Sequence, residues 1–269
     1  MSHTPRGASP GLIRWTSCGG SSPAATGCGL WAPGTRSTGS PTPRACLSVA
    51  GLPPAVAVAA DRGSVSVPAG LRYGELARHL RGHGLAMPNL GSLPHISVGG
   101  ACATGTHGSG DRNGCLSTAV SALELVTADG DLLTLRRGVD EEFAGAVVGL
   151  GRLGVVVRLM LDVVPAFGVR QYVYDGLPRD RLAEHFDEVF GSAYSVSIFT
   201  DWRSPQINQV WRKQLADAPE PERDWLDARL ADGPRHPVAG ISPATCTEQL
   251  GVPGPWGRAA SALPAGLQS

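Results

Sequence analysis

Between Pro88 and Gly114 the chain reads PNLGSLPHISVGGACATGTHGSGDRNG, and no other stretch limits the fold as strongly. Gly91, Gly99, Gly100, Gly105, Gly108, Gly110 and Gly114 punctuate it, so neither a long helix nor a regular strand can run through it. Two groups with apolar character, Ile96-Ser97-Val98 and Ala101-Cys102-Ala103, interrupt the small residues, and a solvated linker has no use for them. The stretch is therefore expected to pack. Glycine lets backbone come close to a ligand, and open N–H groups in such turns make an anion-binding concavity. Gly99-Gly100 and Gly105 permit tight turns, and the hydroxyls of Ser97, Thr104 and Thr106 add donors suited to phosphate.

Glycine and proline supply 36 and 22 of the 269 residues without a collagen-like period, and a hydrophobic content of 42% suffices for a core. The 23 basic residues balance 23 acidic ones, which removes any global electrostatic case for a nucleic-acid or anionic-membrane partner. The balance is uneven along the chain. Asp61 is the first acidic residue, whereas Arg6, Arg14, Arg36 and Arg44 precede it. Residues 1–45 are rich in Ser, Pro, Gly, Thr and Arg without a periodic apolar run, so they are expected to be disordered. No apolar run is long enough to span a bilayer, and no secretory pattern is present, so reduced thiols and a cytoplasmic location are expected. Lys213 is the only lysine, a bias that reads as GC-rich codon usage.

Local patterns predict the elements. Ala55 to Ala60 and Ser64 to Val67 read as short strands around the turn Asp61-Arg62-Gly63, and Leu71 to Leu80 as a helix with one apolar face. Leu123 to Ala128 and Leu132 to Leu135 flank Asp129-Gly130 as a hairpin. Glu141 to Leu150 reads as a short helix, Val155 to Val164 as a long, largely buried strand, and Arg179 to Phe190 as one helix. Tryptophan is concentrated after Pro165, which suggests a domain boundary there.

Two motifs invite a functional reading and lose it on inspection. His79 and His83 have the i, i+4 spacing of a metal pair but sit beside Arg78 and Arg81 without a nearby carboxylate, so a solvated face is expected. The six cysteines contain no Cys-x-x-Cys, and no metal is expected. Gly149 to Gly154 matches G-x-G-x-x-G, yet a helical stretch precedes it and a strand follows, the reverse of a Rossmann site, so it is expected to be a helix-to-strand turn.

In order along the chain, GSLPHISVGGACATGTHGSG, LELVTADGD, LGRLGVVVRLMLDVVP, AYSVSIFTDWRSP and TEQLGVPGPW resemble the flavin-dependent alditol oxidases. These belong to the sugar and aldonolactone oxidases that share a vanillyl-alcohol-oxidase (PCMH) type of FAD-binding domain. The resemblance runs from about Cys46 to Trp256 and implies an α+β fold. A two-subdomain FAD-binding domain would span residues 46–165, and residues 166–269 would hold part of a substrate domain built on an antiparallel sheet. FAD is the implied cofactor, with Ser92, Ser97, Gly100, Thr104, Gly105, Thr106 and His107 along its pyrophosphate and ring. The backbone of Gly154 and Val155 is implied to approach the isoalloxazine, and Ser92 also to face the substrate.

The implied reaction oxidises a terminal CH–OH of an alditol such as xylitol or sorbitol, passing hydride to flavin N5, with O2 as acceptor and H2O2 as product. TDWRSP and TEQLGVPGPW favour this branch over the gulono- and arabinono-lactone oxidases. Two departures temper the expectation. The family's G-[ST]-G-H-S-F motif, whose histidine joins the flavin covalently, does not stand in residues 1–60. The Glu, Arg and Lys that complete the polyol site are expected on strands after Ser269. Impaired activity is therefore expected, and a non-catalytic gene remnant is the contrasting reading. Read from the third base of the Leu30 codon, one permitted set of codons for Leu30 to Thr38 spells Val-Gly-Thr-Gly-His-Ser-Phe-Asn, so residues 1–45 are expected to be translated out of frame.

Overall fold

The computed structural model describes residues 48–49, 51–53, 55–238 and 240–257, the side chain of Thr245 excepted, and the backbone of three strands nearer the N-terminus. The residues fall into two units interleaved along the chain. One comprises residues 1–76, 93–107 and 115–164, the other residues 77–92, 108–114 and 165–269.

In the first unit, β1 (Arg14–Thr16), β2 (Cys28–Trp31) and β3 (Ala45–Ser48) form a sheet ordered β1-β3-β2, with β3 antiparallel to β1 and parallel to β2. Residues 14–16, 28–31 and 45 of the stretch 1–45 lie in these strands, and the rest of that stretch lies outside the described residues. Backbone hydrogen bonds hold such a ladder, so strands of three or four residues can pair where no apolar period marks them.

A second sheet of this unit begins with β4 (Ala57–Val58) and β5 (Ser64–Pro68), joined by a turn in which Arg62 has φ 58° and Gly63 N–H donates to Asp61 Oδ1 at 2.9 Å. The chain then enters α1 (Tyr73–Gly82), whose buried face carries Tyr73, Leu76, Ala77 and Leu80. Glu75 lies in its first turn and His79 and Arg81 in its last, the charge order the helix dipole favours. Each fully buried leucine there contributes about 1.5–3 kcal/mol. β6 (Leu85–Ala86) and α2 (Val98–Ala103) follow.

β7 (Val120–Val126) and β8 (Leu132–Arg136) form the expected hairpin, with Thr127 N–H donating to Asp131 C=O at 2.9 Å and Gly130 at φ 89°. The expected helix from Glu141 to Leu150 shrinks to α3 (Phe143–Ala146), because Leu150 and Gly151 turn left-handed at φ 51° and 71°. The loop 149–154 is the expected helix-to-strand turn and leads into β9 (Val155–Asp162). These strands complete the antiparallel order β4-β5-β9-β7-β8. β9 is not buried throughout as expected: Leu159 and Leu161 are buried while Met160 between them is 40% exposed. A sheet covered on one face imposes that alternation.

After β10 (Val164–Pro165), the second unit is built on β11 (Gly168–Pro178). The single helix expected over Arg179 to Phe190 is two, α4 (Arg179–Glu184) and α5 (Phe186–Gly191). His185 between them leaves helical backbone at φ −118°, ψ 30°, and its Nδ1 lies 2.8 Å from Glu188 Oε2 in the first turn of α5. β12 (Ser195–Phe199), β13 (Gln206–Leu215), β14 (Asp224–Trp225) and β15 (Ala228–Leu230) give the antiparallel order β12-β13-β11-β15-β14, and β16 (Gly254–Pro255) also pairs with β11.

One face of this sheet carries Tyr172, Tyr174, Val196 and Val210 into a core with Val189 of α5. Arg212 also points into that face. Its guanidinium lies 4.4 Å from the centroid of the Trp225 ring and 5.5 Å from that of Tyr174, and Nη2 donates to Ser192 C=O at 3.1 Å. Burial lowers its pKa, and the two rings and the carbonyl compensate part of the desolvation. Arg212→Lys should destabilise the chain by about 1–2 kcal/mol and Arg212→Ala by about 3, since lysine lacks the planar fork and alanine also the packing. Urea unfolding checks this, and an unchanged midpoint in both variants would contradict the assigned role.

Candidate functional site

Two groups of residues carry chemistry, one in each unit. In the first unit, Ser97 caps α2, its Oγ accepting from Gly100 N–H at 3.2 Å. Val98 N–H donates to Leu71 C=O at 2.8 Å and Gly99 N–H to Ala69 C=O at 2.9 Å, so the first donors of α2 are satisfied within the protein. The N–H groups of Val98, Gly99 and Gly100 are therefore not open to a ligand. A Cβ on Gly99 would stand 2.7 Å from Ala69 Cβ, so the glycine serves the approach of chain to chain.

α2 ends in a Schellman arrangement. Thr106 N–H reaches Ala101 C=O at 3.0 Å and Gly105 N–H reaches Cys102 C=O at 3.3 Å, with Gly105 at φ 65°. The Thr104 and Thr106 hydroxyls meet at 3.1 Å, and Thr104 and His107 are exposed. Cys102 is buried under this turn, which pushes its thiol up to about 11 and leaves it unreactive near neutral pH.

The loop 149–154 comes to the same place. Leu150 N–H donates to Ala103 C=O at 3.1 Å, Val148 Cγ1 lies 3.6 Å from where a Gly105 Cβ would be, and Leu150 and Leu153 expose 67% and 55% of their surface. Gly154 holds φ 151°, and a Cβ there would collide with Val126 C=O. The structure thus brings the predicted stretches 97–107 and 154–155 together through Leu150. Thr104 Oγ1–H donates to Gly100 C=O at 2.9 Å, which leaves the Thr106 hydroxyl as the donor here; with the side-chain-free turn at Gly105 and exposed apolar side chains on one surface, the set fits a phosphate-bearing aromatic cofactor.

In the second unit, the period of two along the strands puts polar residues on the sheet face opposite the core. Ser195, Ser197 and Phe199 of β12 align with Lys213, Trp211 and Gln209 of β13, and Gln171 and Val173 of β11 align with Lys213 and Trp211. Of this face, Ser195, Ser197, Phe199, Trp211 and Lys213 floor a cavity of about 380 Å³, walled by Asn89 to Ser92, Ser109, Tyr194, His236, Cys246, Thr247 and Trp256. Ser92, predicted to face substrate, is on this wall.

Ser109 and Ser195 hydroxyls meet at 2.6 Å, and Tyr194 O–H donates to Pro88 C=O at 2.7 Å. Burial pushes Tyr194 up to about 12, the Trp256 indole opposing it, so the phenol stays protonated and serves as a donor. Trp211 Nε1–H donates to Gln209 Oε1 at 2.7 Å, and the Phe199 ring stands edge-on to Trp211 at 5.3 Å. Burial lowers the Lys213 pKa, with the Cys246 thiol nearby acting in the opposite direction. The sequence reading passed over Lys213, Trp211 and Cys246; the alternation in SVSIF and QVWRK was the signal that could have found them.

Residues 32–136 match the family described as FAD binding domain. The alditol oxidase of a Streptomyces species is 49% identical over 210 residues, which cover 78% of this chain and 49% of that protein. The D-arabinono-1,4-lactone oxidase of Eremothecium gossypii is 35% identical over 62% of this chain and 31% of its own length. The bovine L-gulonolactone oxidase is 29% identical over 62% of this chain and 38% of its own. This chain therefore spans half or less of the length of these relatives.

Among solved structures, a cholesterol oxidase from Brevibacterium sterolicum superposes with TM-score 0.58 at 20% identity, over 77% of this chain and 42% of that one. The fold is thus the α+β fold of PCMH-type FAD-binding proteins, the matched cofactor is FAD, and the chain is similar to alditol and aldonolactone oxidases.

Gly154 offers a check on the loop 149–154. Gly154→Ala should cost about 2 kcal/mol or more, because backbone strain and a backbone clash coincide, whereas Gly130→Ala, in open space, should cost only about 1. Thermal unfolding of both variants decides, and equal losses would contradict the close approach at Gly154.

Proposed function

We propose that this chain is the FAD-bearing part of an alditol oxidase, oxidising a CH–OH group of a polyol with O2 as acceptor and H2O2 as product. The 49% identity to an alditol oxidase across 78% of the chain carries this reading. The identity to a D-arabinono-1,4-lactone oxidase, 35% over 62% of the chain, supports an aldonolactone as the second substrate reading. We assign the FAD-binding domain to residues 46–165, part of the substrate domain to 166–269, and the location to the cytoplasm. Cys102, Cys115 and Cys246 are unbridged, in keeping with a reducing compartment. Among the described residues no helix is long and apolar enough to cross a membrane.

Mechanism follows from the residues present. When bound, FAD supplies the hydride acceptor. On the cofactor side, the hydroxyls of Thr104 and Thr106, the side-chain-free turn at Gly105, exposed His107 and the backbone of Gly154 and Val155 would hold it. Ser97 and Gly100 act through each other, fixing the α2 turn that presents Thr104. On the substrate side, Ser92 on the cavity wall offers a hydroxyl that can donate to or accept from a polyol oxygen. The Trp211 and Phe199 rings give an apolar wall for the carbon chain, and exclusion of water by such a wall strengthens each hydrogen bond inside it.

Peroxide release tests the reading. With FAD supplied, the purified chain should release more H2O2 on xylitol than on L-gulono-1,4-lactone, and Ser92→Ala should lower kcat/KM for xylitol by about tenfold or more, the worth of one transition-state hydrogen bond. A preference for the lactone would move the assignment to the second reading. Silence on both substrates would identify a non-catalytic remnant.

A further inference from the structure

Lys213 is set into the floor of the second unit's cavity with no ion pair and no side-chain hydrogen bond among the described residues. The other titratable groups of the wall are the His236 imidazole, the Cys246 thiol and the Tyr194 phenol, beside serine and threonine hydroxyls, and no carboxylate lines the cavity. A cation partly withdrawn from water, with no carboxylate on the same wall, favours an anionic ligand. The same cross-strand row carries a second polar group of the cavity wall: Ser195 stands opposite Lys213, and its hydroxyl lies 2.6 Å from that of Ser109, so a ligand oxygen held at Lys213 has hydroxyls beside it.

We infer that this cavity binds a small hydroxylated carboxylate, its carboxylate held by Lys213, its carbon chain laid on the Trp211 and Phe199 rings, and its hydroxyls met by Ser195 and Ser197. Ser197 stands opposite Trp211 and Ser195 opposite Lys213, so the acidic end and the hydroxylated chain each find matching neighbours one row apart. An arriving carboxylate also offsets the burial that holds the Lys213 pKa down. Its neighbour Arg212 is committed elsewhere, turned to the opposite face and closed against Trp225. The inference goes beyond the oxidase reading and needs only the cavity, so peroxide release and ligand binding fail separately.

The test is calorimetric titration of the FAD-supplied chain under nitrogen with gluconate and with gluconamide, its neutral counterpart of the same carbon skeleton. Wild type should bind gluconate about tenfold or more tightly than gluconamide, the scale of one charged hydrogen bond. Lys213→Met should erase that difference, and Lys213→Arg should keep most of it. Melting curves establish that each variant is folded, and the wild-type pair of titrations decides the matter even if Lys213→Met does not fold. Equal affinity for gluconate and gluconamide overturns the inference. So does an unaltered gluconate affinity in folded Lys213→Met, or inorganic phosphate competing as tightly as gluconate, which would make the site a bare anion hole.

Discussion

Close approach at glycine is the constraint on which the remaining features rest. At Gly99 the backbone lies against Ala69, at Gly108 against Leu90 C=O, at Gly110 against Tyr194 C=O and the Asn113 amide, and at Gly154 against Val126 C=O. None of these positions has room for a Cβ. The first and last fix α2 and the entry to β9, which together present the threonine hydroxyls and the apolar loop of the first unit. The other two press the 108–114 loop onto the Leu90 backbone and Tyr194, closing one wall of the cavity in the second. At Gly99, Gly108 and Gly110 the glycines of Pro88 to Gly114 thus serve chain-to-chain contact, whereas a Cβ at Gly105 would meet only Val148 Cγ1 at 3.6 Å.

The second organising device is the period of two in β11, β12 and β13. It sends Arg212 and Lys213, neighbours in sequence, to opposite faces with opposite fates. Arg212 is enclosed by Tyr174 and Trp225 and stabilises the core, whereas Lys213 meets hydroxyls, rings and a thiol around an open volume. A delocalised guanidinium tolerates stacking between aromatic faces better than a compact ammonium does, which accounts for which cation stands on which face.

Much of this was legible in the residues. Asp129-Gly130 between alternating apolar runs specified the β7–β8 hairpin, the spacing of Leu76 and Leu80 specified α1, and the order of elements around Gly149 to Gly154 excluded a Rossmann site. The misses share a physical origin. His185 carries no breaker signal, although its backbone leaves the helical region between α4 and α5. Strands β1 to β3 draw on backbone pairing that three or four residues cannot advertise. β9 read as buried because its apolar run hides which face is covered. The cavity assembles from segments far apart in sequence, so Lys213 looked like a codon accident until the register placed it beside Gln171 and Ser195.

Taken together, the fold, the paired threonines beside a side-chain-free turn and the similarity to FAD-dependent oxidases make flavin binding the claim from which the rest proceeds. Fluorescence titration of FAD into the purified chain measures it directly. The account predicts saturable quenching of flavin emission at one FAD per chain, weakened when Gly105→Val fills the turn. Emission equal to that of free FAD throughout, in a chain that melts cooperatively, would contradict it.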